Sequence, residues 1–379
     1  MSANLKIPRQ SKGSFASFDK ILFGAVGALL IIGTLLVYAG TREWFRSNDL
    51  DPEYYLKRHV LNILIGGLLA YGTTLIDYRL LRAYTPILWA AGVLGLILVL
   101  VVGATVNSAK AWLSFPGGFQ LQPAELAKIS IIVGMAMVLA ERKDLRGDPT
   151  DSDVAKSLLV AAIPVGLILL QPDLGTVLII CAAVVAMIGA SGAPVRWVVG
   201  LLMLAVAGGF VAVQTGVVSE YQVKRLQSFV DPAADPQLSG YQLRQARITI
   251  GSGGFFGKGL FDGPQTNGRF VPEQQTDFIF TVAGETLGFL GCSIILILYS
   301  VIFTRAFIIA RRTTDLFGRL VCVGVIAWFA FQTFENIGMT MGLMPMTGVP
   351  LPFLSYGGSS MFANLIGIGL LQNVYVRSR

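Results

Sequence analysis

Ten stretches of the chain are apolar over about the length that crosses a bilayer, and short polar stretches divide them. They lie near 21–41, 60–76, 84–105, 124–140, 155–171, 174–191, 195–217, 278–304, 319–341 and 353–375. Each is continuous rather than alternating, so the pattern predicts helices and excludes a β-barrel. The fold class that follows is an all-α polytopic membrane protein with about ten transmembrane helices and a large extracellular loop, 218–276, between helices 7 and 8. Residues 1–20 then form a basic tail, 21–375 a single helical bundle and 376–379 a short second tail.

The sharpest break in the pattern is 271–291, VPEQQTDFIFTVAGETLGFLG, where Glu273, Gln274, Gln275 and Asp277 run straight into an apolar segment. Asp277 stands at the mouth of that predicted helix, where a carboxylate caps the helix, meets a substrate, or does both. Positions 277, 281, 284 and 288 share one helical face. A groove floored by Thr281, Gly284 and Gly288 is therefore expected beneath the acid, open to a lipid or to another helix.

Composition narrows the class. Hydrophobic residues make up 54% of the chain and charged ones 13%, well outside the usual balance of soluble domains. The net charge of +7 then reports orientation in a membrane before it suggests a nucleic-acid partner. Cys181, Cys292 and Cys322 fall inside predicted spans, and His59 has no Cys or His neighbour, which argues against disulfides and a zinc site. The first apolar run is followed by no small-residue cleavage pattern and is long enough to span, so it reads as the first helix.

The basic residues sort by side. Lys6, Arg9, Lys12, Lys20, Arg79, Arg82, Arg142, Lys143, Arg146, Lys156, Arg196, Arg305, Arg311, Arg312, Arg319, Arg377 and Arg379 all fall on the face of the N-terminus. That face is expected to be the cytoplasm, with both termini in it. The segment 41–59 carries both signs and reads as a mixed-charge outer loop. The conspicuous polar motifs come from four further outer loops, distant in sequence, and their convergence on one face points to an outward-facing site.

In the first of these, NSAKAWLSFPGGFQLQPAELAK, Lys110 and Lys128 suit a diphosphate at the lipid boundary. Trp112 doubles as an interfacial anchor, and Glu125 with Lys128 as an ion pair in the first turn of a helix begun by Pro123. In the second, QPDLGT, Asp173 occupies a tight turn and reads equally as a helix cap. The third contains SGYQLRQARITIGSGGFFGKGL. Its Tyr241, Leu243, Ala246, Ile248 and Ile250 predict an amphipathic helix lying on the membrane, with Arg244, Arg247 and Lys258 toward headgroups or a phosphorylated lipid. The glycines follow no strand and precede no Lys-Ser or Lys-Thr, so they read as tight bends or close backbone approach rather than a nucleotide loop. The fourth, TFENIGMTMGLMPMTGVPLPFLSYGGSS, places Glu335 and Asn336 near the outer end of the ninth span. An intramembrane carboxylate needs a basic partner or a bound cation there, and SYGGSS suits close helix packing.

Taken together, QPAELAK, QPDLGT, GYQLRQARITIGSGGFFGKGL, VPEQQTDFIFTVAGE and NIGMTMGLMPMTGVPLPFLSYGGSS closely resemble the SEDS family of shape, elongation, division and sporulation proteins, in order and over nearly the whole chain. FVPEQQTDFIFT and the short tails are most similar to its rod-shape branch, with the division branch the alternative. Ala111, Ala124 and Thr286 depart from the residues usual in the family.

The resemblance implies a peptidoglycan glycosyltransferase that polymerises lipid II on the outer face of a bacterial cytoplasmic membrane, for cell elongation and shape. It implies as partners a class B penicillin-binding protein and other membrane proteins of the elongation complex. Asp277 matches the family's catalytic aspartate, and Trp112, Glu125, Lys128 and Asp173 fall on other positions of its patterns. With Lys110, Arg244, Arg247, Lys258, Glu335 and Asn336 these make the expected substrate-binding set. A divalent cation, Mg²⁺ or Mn²⁺, is admitted beside the diphosphate with no ligand assigned, and neither an organic cofactor nor nucleic acid is expected.

The implied reaction displaces undecaprenyl diphosphate from the anomeric carbon of a glycan chain by the 4-hydroxyl of an incoming lipid II sugar. One base suffices, because a diphosphate leaves with far less protonation than a sugar does. The rival reading is a lipid flippase, which would carry polar groups through the midplane, whereas here they crowd the outer mouths and the inner halves read apolar. A scaffold that only holds the transpeptidase needs no placed acid.

Overall fold

The computed structural model describes residues 18–106, 109–115, 119–141, 147–214, 220–231 and 239–378. Lys6, Arg9, Lys12, Arg142, Lys143, Arg146 and Arg379 lie outside the described residues. Seven helices come first: α1 (Lys20–Ser47), α2 (Tyr54–Leu75), α3 (Tyr78–Val102), α4 (Pro123–Glu141), α5 (Asp151–Leu169), α6 (Leu174–Ser191) and α7 (Val195–Gln214). Three short ones follow, α8 (Glu220–Val230), α9 (Ser239–Ser252) and α10 (Pro264–Asn267), and then α11 (Ile279–Arg312), α12 (Leu316–Met341) and α13 (Gly358–Arg377).

The ten long helices coincide with the ten apolar windows. Among the described residues seven of them, α1, α3 to α6, α11 and α12, are long and apolar enough to cross a membrane by themselves. The other three owe their lower apolarity to identifiable residues or length. Helix α2 opens with Lys57, Arg58 and His59, α13 carries Asn364, Gln372 and Asn373 buried against its neighbours, and the apolar run of α7 is 195–211.

Aspartates start several of these helices by accepting from the first free amides: Asp19 from Leu22, Asp77 from Arg79, Asp173 from Thr176 and Asp315 from Gly318. Asp19, Asp77 and Asp315 also tie helix ends together, Asp77 by pairing with Arg377 at the end of α13. Asp19 meets Arg305 and exchanges backbone bonds with Gln372, Asn373 donates to Thr73 and Ile76 carbonyls, and Tyr78 donates to Asp315. The start of α1 and the end of α13 therefore share one end of the bundle.

Helices α4 and α12 form its centre. Gly324 of α12 leaves room for Ile132 and Met187, so α4, α6 and α12 meet at close range, and one apolar cluster runs from Leu22 to Val376. A narrow apolar crevice lined by Ile131, Ile132, Met135, Ile180, Val184 and Trp328 runs between these three helices below Lys128.

At the opposite end the structure departs from a purely α-helical reading. The first outer motif forms a three-stranded antiparallel sheet, β1 (Ala104–Val106), β2 (Ala109–Phe115) and β3 (Phe119–Leu121), in the order β1-β2-β3. Helix α9 does form at the predicted place, with its apolar side turned to the protein. Its Leu243, Ala246 and Thr249 are buried and the helix packs on α11 and α12, while Ile248 is left 46% exposed.

The groove expected along Gly284 and Gly288 is filled by the chain itself. Helix α11 breaks at Gly288, which has φ +65 and ψ −165, and the glycine-rich segment after α9 docks into the break. Lys258 and Gly259 amides donate to the Glu285 and Thr286 carbonyls, and Phe289 and Leu290 amides donate back to Gly254 and Phe255. A β-carbon on Gly257 would stand 2.3 Å from the Thr286 oxygen, and one on Gly253 2.0 Å from the Gly284 oxygen. Close backbone approach is thus what these glycines provide.

Candidate active site

Asp277 sits in a turn whose backbone is held from four directions. Thr276 and Phe278 amides both donate to the Glu273 carbonyl, closing the turn on itself. Gln274 donates to Gly40 at 2.6 Å and to Thr266 at 2.9 Å, anchoring it to α1 and α10. Tyr356 amide donates to Gln275 and the Ser355 hydroxyl to Thr276, joining it to the segment before α13. Asn336 of α12 donates to the carbonyls of both Asp277 and Val349 at 2.7 Å, stitching the turn to the 342–350 loop. A side chain on such a turn holds its place without support from its own helix.

The capping alternative is answered by geometry. The residue that begins α11 is Phe278, and no side chain caps it. The Asp277 carboxylate points instead toward Gly348, where Oδ2 and Arg225 Nη1 lie 3.3 and 3.5 Å from the place a β-carbon would occupy. Gly348 has φ +75, so its glycine serves both the turn and the room above it. Burial pushes the Asp277 carboxyl up to about 7, the negative charges of Glu273 and Asp173 add to the rise, and Arg225 opposes it. A carboxylate near that value is suited to accept a proton at neutral pH.

The other sequence candidates divide. Asp173 caps α6 through Thr176 and also accepts from Gln122 at 3.0 Å; it stays partly open and contributes to the field at Asp277. Asn336 positions Asp277 as described. Glu335 is fully buried in α12, and the donor within its reach among the described residues is the Thr347 hydroxyl. No basic residue forms the ion pair expected of it, although Lys128 and Asp173 lie within its electrostatic reach.

Four of the cations expected to hold a diphosphate have partners within the protein. Lys110 donates to the Leu100 and Val101 carbonyls and finishes α3. Arg247 does the same for Met341 and Gly342 at the end of α12. Lys258 pairs at 3.7 Å with Glu285, a buried residue that also accepts from Ser252, Gln265 and Thr266. Lys128, 2% exposed, meets Glu125 at 2.9 Å, Gln332 at 3.2 Å and the ring of Trp328. Trp112 lies half-buried in β2, and Arg244 is exposed on α9.

Sequence reasoning missed Arg225 and Gly348. Arg225 belongs to α8, inside the outer loop, and its only signal there is its place one turn after Gln222 on an amphipathic helix. That spacing is functional: Gln222 donates to Pro172 in the Asp173 turn, and Arg225 to Met346 in the 342–350 loop. Among the described residues no three His, Cys, Asp or Glu side chains gather as a protein-held metal would require.

Comparison with known proteins places this geometry. A family model described as cell cycle protein, covering FtsW, RodA and SpoVE, matches residues 20–379. A probable peptidoglycan glycosyltransferase FtsW of Trichlorobacter lovleyi is 37% identical over 95% of this chain and 93% of its own length. The peptidoglycan glycosyltransferase RodA of Treponema pallidum is 32% identical over 96% and 98%. Among solved structures, a chain from a peptidoglycan synthase complex that coordinates polymerization and crosslinking superposes with a TM-score of 0.78 at 33% identity, covering 94% of this chain and 97% of that one.

Proposed function

We infer that this chain, which belongs to the FtsW/RodA/SpoVE family and is a peptidoglycan glycosyltransferase, polymerises lipid II with Asp277 as general base. The observation that carries the reading is an acid at the mouth of a membrane helix that caps nothing, is fixed through its backbone, and is held by burial above the usual carboxylate range. In the reaction the incoming 4-hydroxyl oxygen bonds to the anomeric carbon from the face opposite the leaving group. The bond from that carbon to the diphosphate oxygen breaks, the electron pair departs with undecaprenyl diphosphate, and the hydroxyl proton passes to Asp277. A divalent cation, Mg²⁺ or Mn²⁺, enters as a companion of the substrate's diphosphate, since the described residues offer no cage for it.

The setting proposed is a bacterial cytoplasmic membrane, with both termini in the cytoplasm and the site outside. The partner proposed is a class B penicillin-binding protein. Its single membrane helix has apolar surface available on α11, where Phe289, Leu290, Ile294 and Ile297 are exposed. The small residues Gly284, Gly288 and Gly324 are already covered by this chain and do not serve that contact. The FVPEQQTDFIFT segment favours an elongation role; the 37% identity to an FtsW supports a division role as the second reading. Rounding of depleted rods supports the first, filamentation the second.

Purified protein with labelled lipid II, alone and with its transpeptidase partner, tests the activity. Asp277→Asn should stay monodisperse and bind substrate while glycan synthesis falls by about two orders of magnitude or more. The wild-type rate should climb as pH rises through about 7, as the base ionises. Near-normal glycan from folded Asp277→Asn would remove Asp277 as the base.

A further inference from the structure

The negative field around Asp277 poses a problem for a base. Glu273 on its own turn and Asp173 on the α6 turn both oppose its ionisation. Among the described residues, the positive charge that acts on it comes from an element that sequence analysis gave no role. Helix α8 bridges the two loops that frame the site: Gln222 bonds the Pro172 carbonyl, Arg225 bonds the Met346 carbonyl at 3.3 Å, and Arg225 Nη1 and Asp277 Oδ2 both border the space a β-carbon on Gly348 would fill, at 3.5 and 3.3 Å. A guanidinium serves such a place well, because its planar fork can hold a backbone carbonyl with one nitrogen while its delocalised charge faces a carboxylate.

We propose that Arg225 is a positioning residue for the reaction: carried in by α8 and fixed on the Met346 carbonyl, it holds the Asp277 carboxylate ionised and oriented over Gly348. The proposal rests on Asp277 being the base. Three charges set the balance, with Glu273 and Asp173 against Arg225. Asn336 adds a neutral contact through the Asp277 backbone. Removing the cation should move the acidic limb of the rate profile to higher pH, and removing Glu273 should move it to lower pH.

The test is the pH dependence of glycan synthesis from labelled lipid II by the full chain with its partner, for wild type, Arg225→Gln, Arg225→Lys, Glu273→Gln and the double variant Arg225→Gln/Glu273→Gln. Arg225→Gln should lose most of its rate at neutral pH and regain much of it in alkali, and the double variant should bring the limb back toward wild type. Arg225→Lys, which keeps the charge, should leave the limb nearly in place. A loss that is equal at every pH, or a limb that shifts as far with Lys as with Gln, overturns the proposal. If Arg225→Gln does not yield monodisperse protein, the Lys and Glu273→Gln profiles decide, and an unmoved limb in Glu273→Gln counts against it. A wild-type protein that makes no glycan would instead strike the polymerase reading itself.

Discussion

At the scale of single residues, the site is surrounded by charges that pay for each other. Lys128 and Glu125 lie almost entirely out of solvent and pair with each other, and the Lys128 amine is also met by Gln332 and the Trp328 ring. Stripping one partner from such a pair leaves an uncompensated buried charge, whereas replacing both with apolar side chains of similar size does not. Glu125→Ala should therefore lower stability by about 3–5 kcal/mol, and Glu125→Leu/Lys128→Met should recover most of it. Thermal unfolding in detergent reads the difference, and equal losses in the single and double variants would contradict the account. The sequence made this pair legible as an i,i+3 ion pair. It did not reveal that the pair is buried, and for that reason Lys128 was also expected to hold a diphosphate. For Lys110, Arg247 and Lys258 too, a cation in an outer loop looks wholly available in the sequence, and the carbonyl or carboxylate that meets it becomes visible only in the fold.

Elements carry a different lesson. The ten long helices were readable because continuous apolar runs bounded by aspartate caps have a local cause. The β-sheet of 104–121 was not, since its three short strands sit in a motif whose lysine, tryptophan and glycines drew attention as chemistry. The glycine-rich loop was half readable. Its residues announced a close approach, but the surface approached, the kinked α11 at Gly288, is apparent only when the two segments are seen together. This assembly predicts a contrast between glycines. Gly257→Ala places a side chain at φ +80 and 2.3 Å from a carbonyl oxygen, so it should undock the loop and expose it to protease. Gly251→Ala meets nothing within 4 Å and lies in α9, so it should be neutral or gain up to about 1 kcal/mol. Limited proteolysis of both variants beside wild type checks the contrast, and equal cleavage of the two would mean that the loop is not pinned as described.

Across the whole molecule, the polar groups separate to the two ends and do different work at each. One end is a lashing of helix termini, in which Asp19, Arg305 and Gln372 bind α1, α11 and α13, and Arg377 bonds the Thr74 carbonyl at the end of α2. The other end converges on Asp277 from α1, α8, α10, α12 and the segment before α13. A reaction centre at one mouth, above inner halves that pack apolar surfaces, is what an enzyme of membrane-borne substrates needs and what a transport path lacks. The cations predict which mouth faces outward: Arg79, Arg82, Lys156, Arg196, Arg305, Arg311, Arg312, Arg319 and Arg377 collect at the lashed end, which the positive-inside rule would keep in the cytoplasm. Asp262 provides the probe, because it is exposed in the loop between α9 and α10, at the end that carries the site. A cysteine at that position, Asp262→Cys, should react with a membrane-impermeant maleimide in intact spheroplasts, above the background of the parent protein, whose own Cys181, Cys292 and Cys322 are buried or partly buried. A second probe at exposed Arg312 of the lashed end, Arg312→Cys, should react only after permeabilisation. The reverse pattern would turn the molecule over and put Asp277 on the cytoplasmic side, where a polymerase of exported lipid-linked sugars has no substrate to meet.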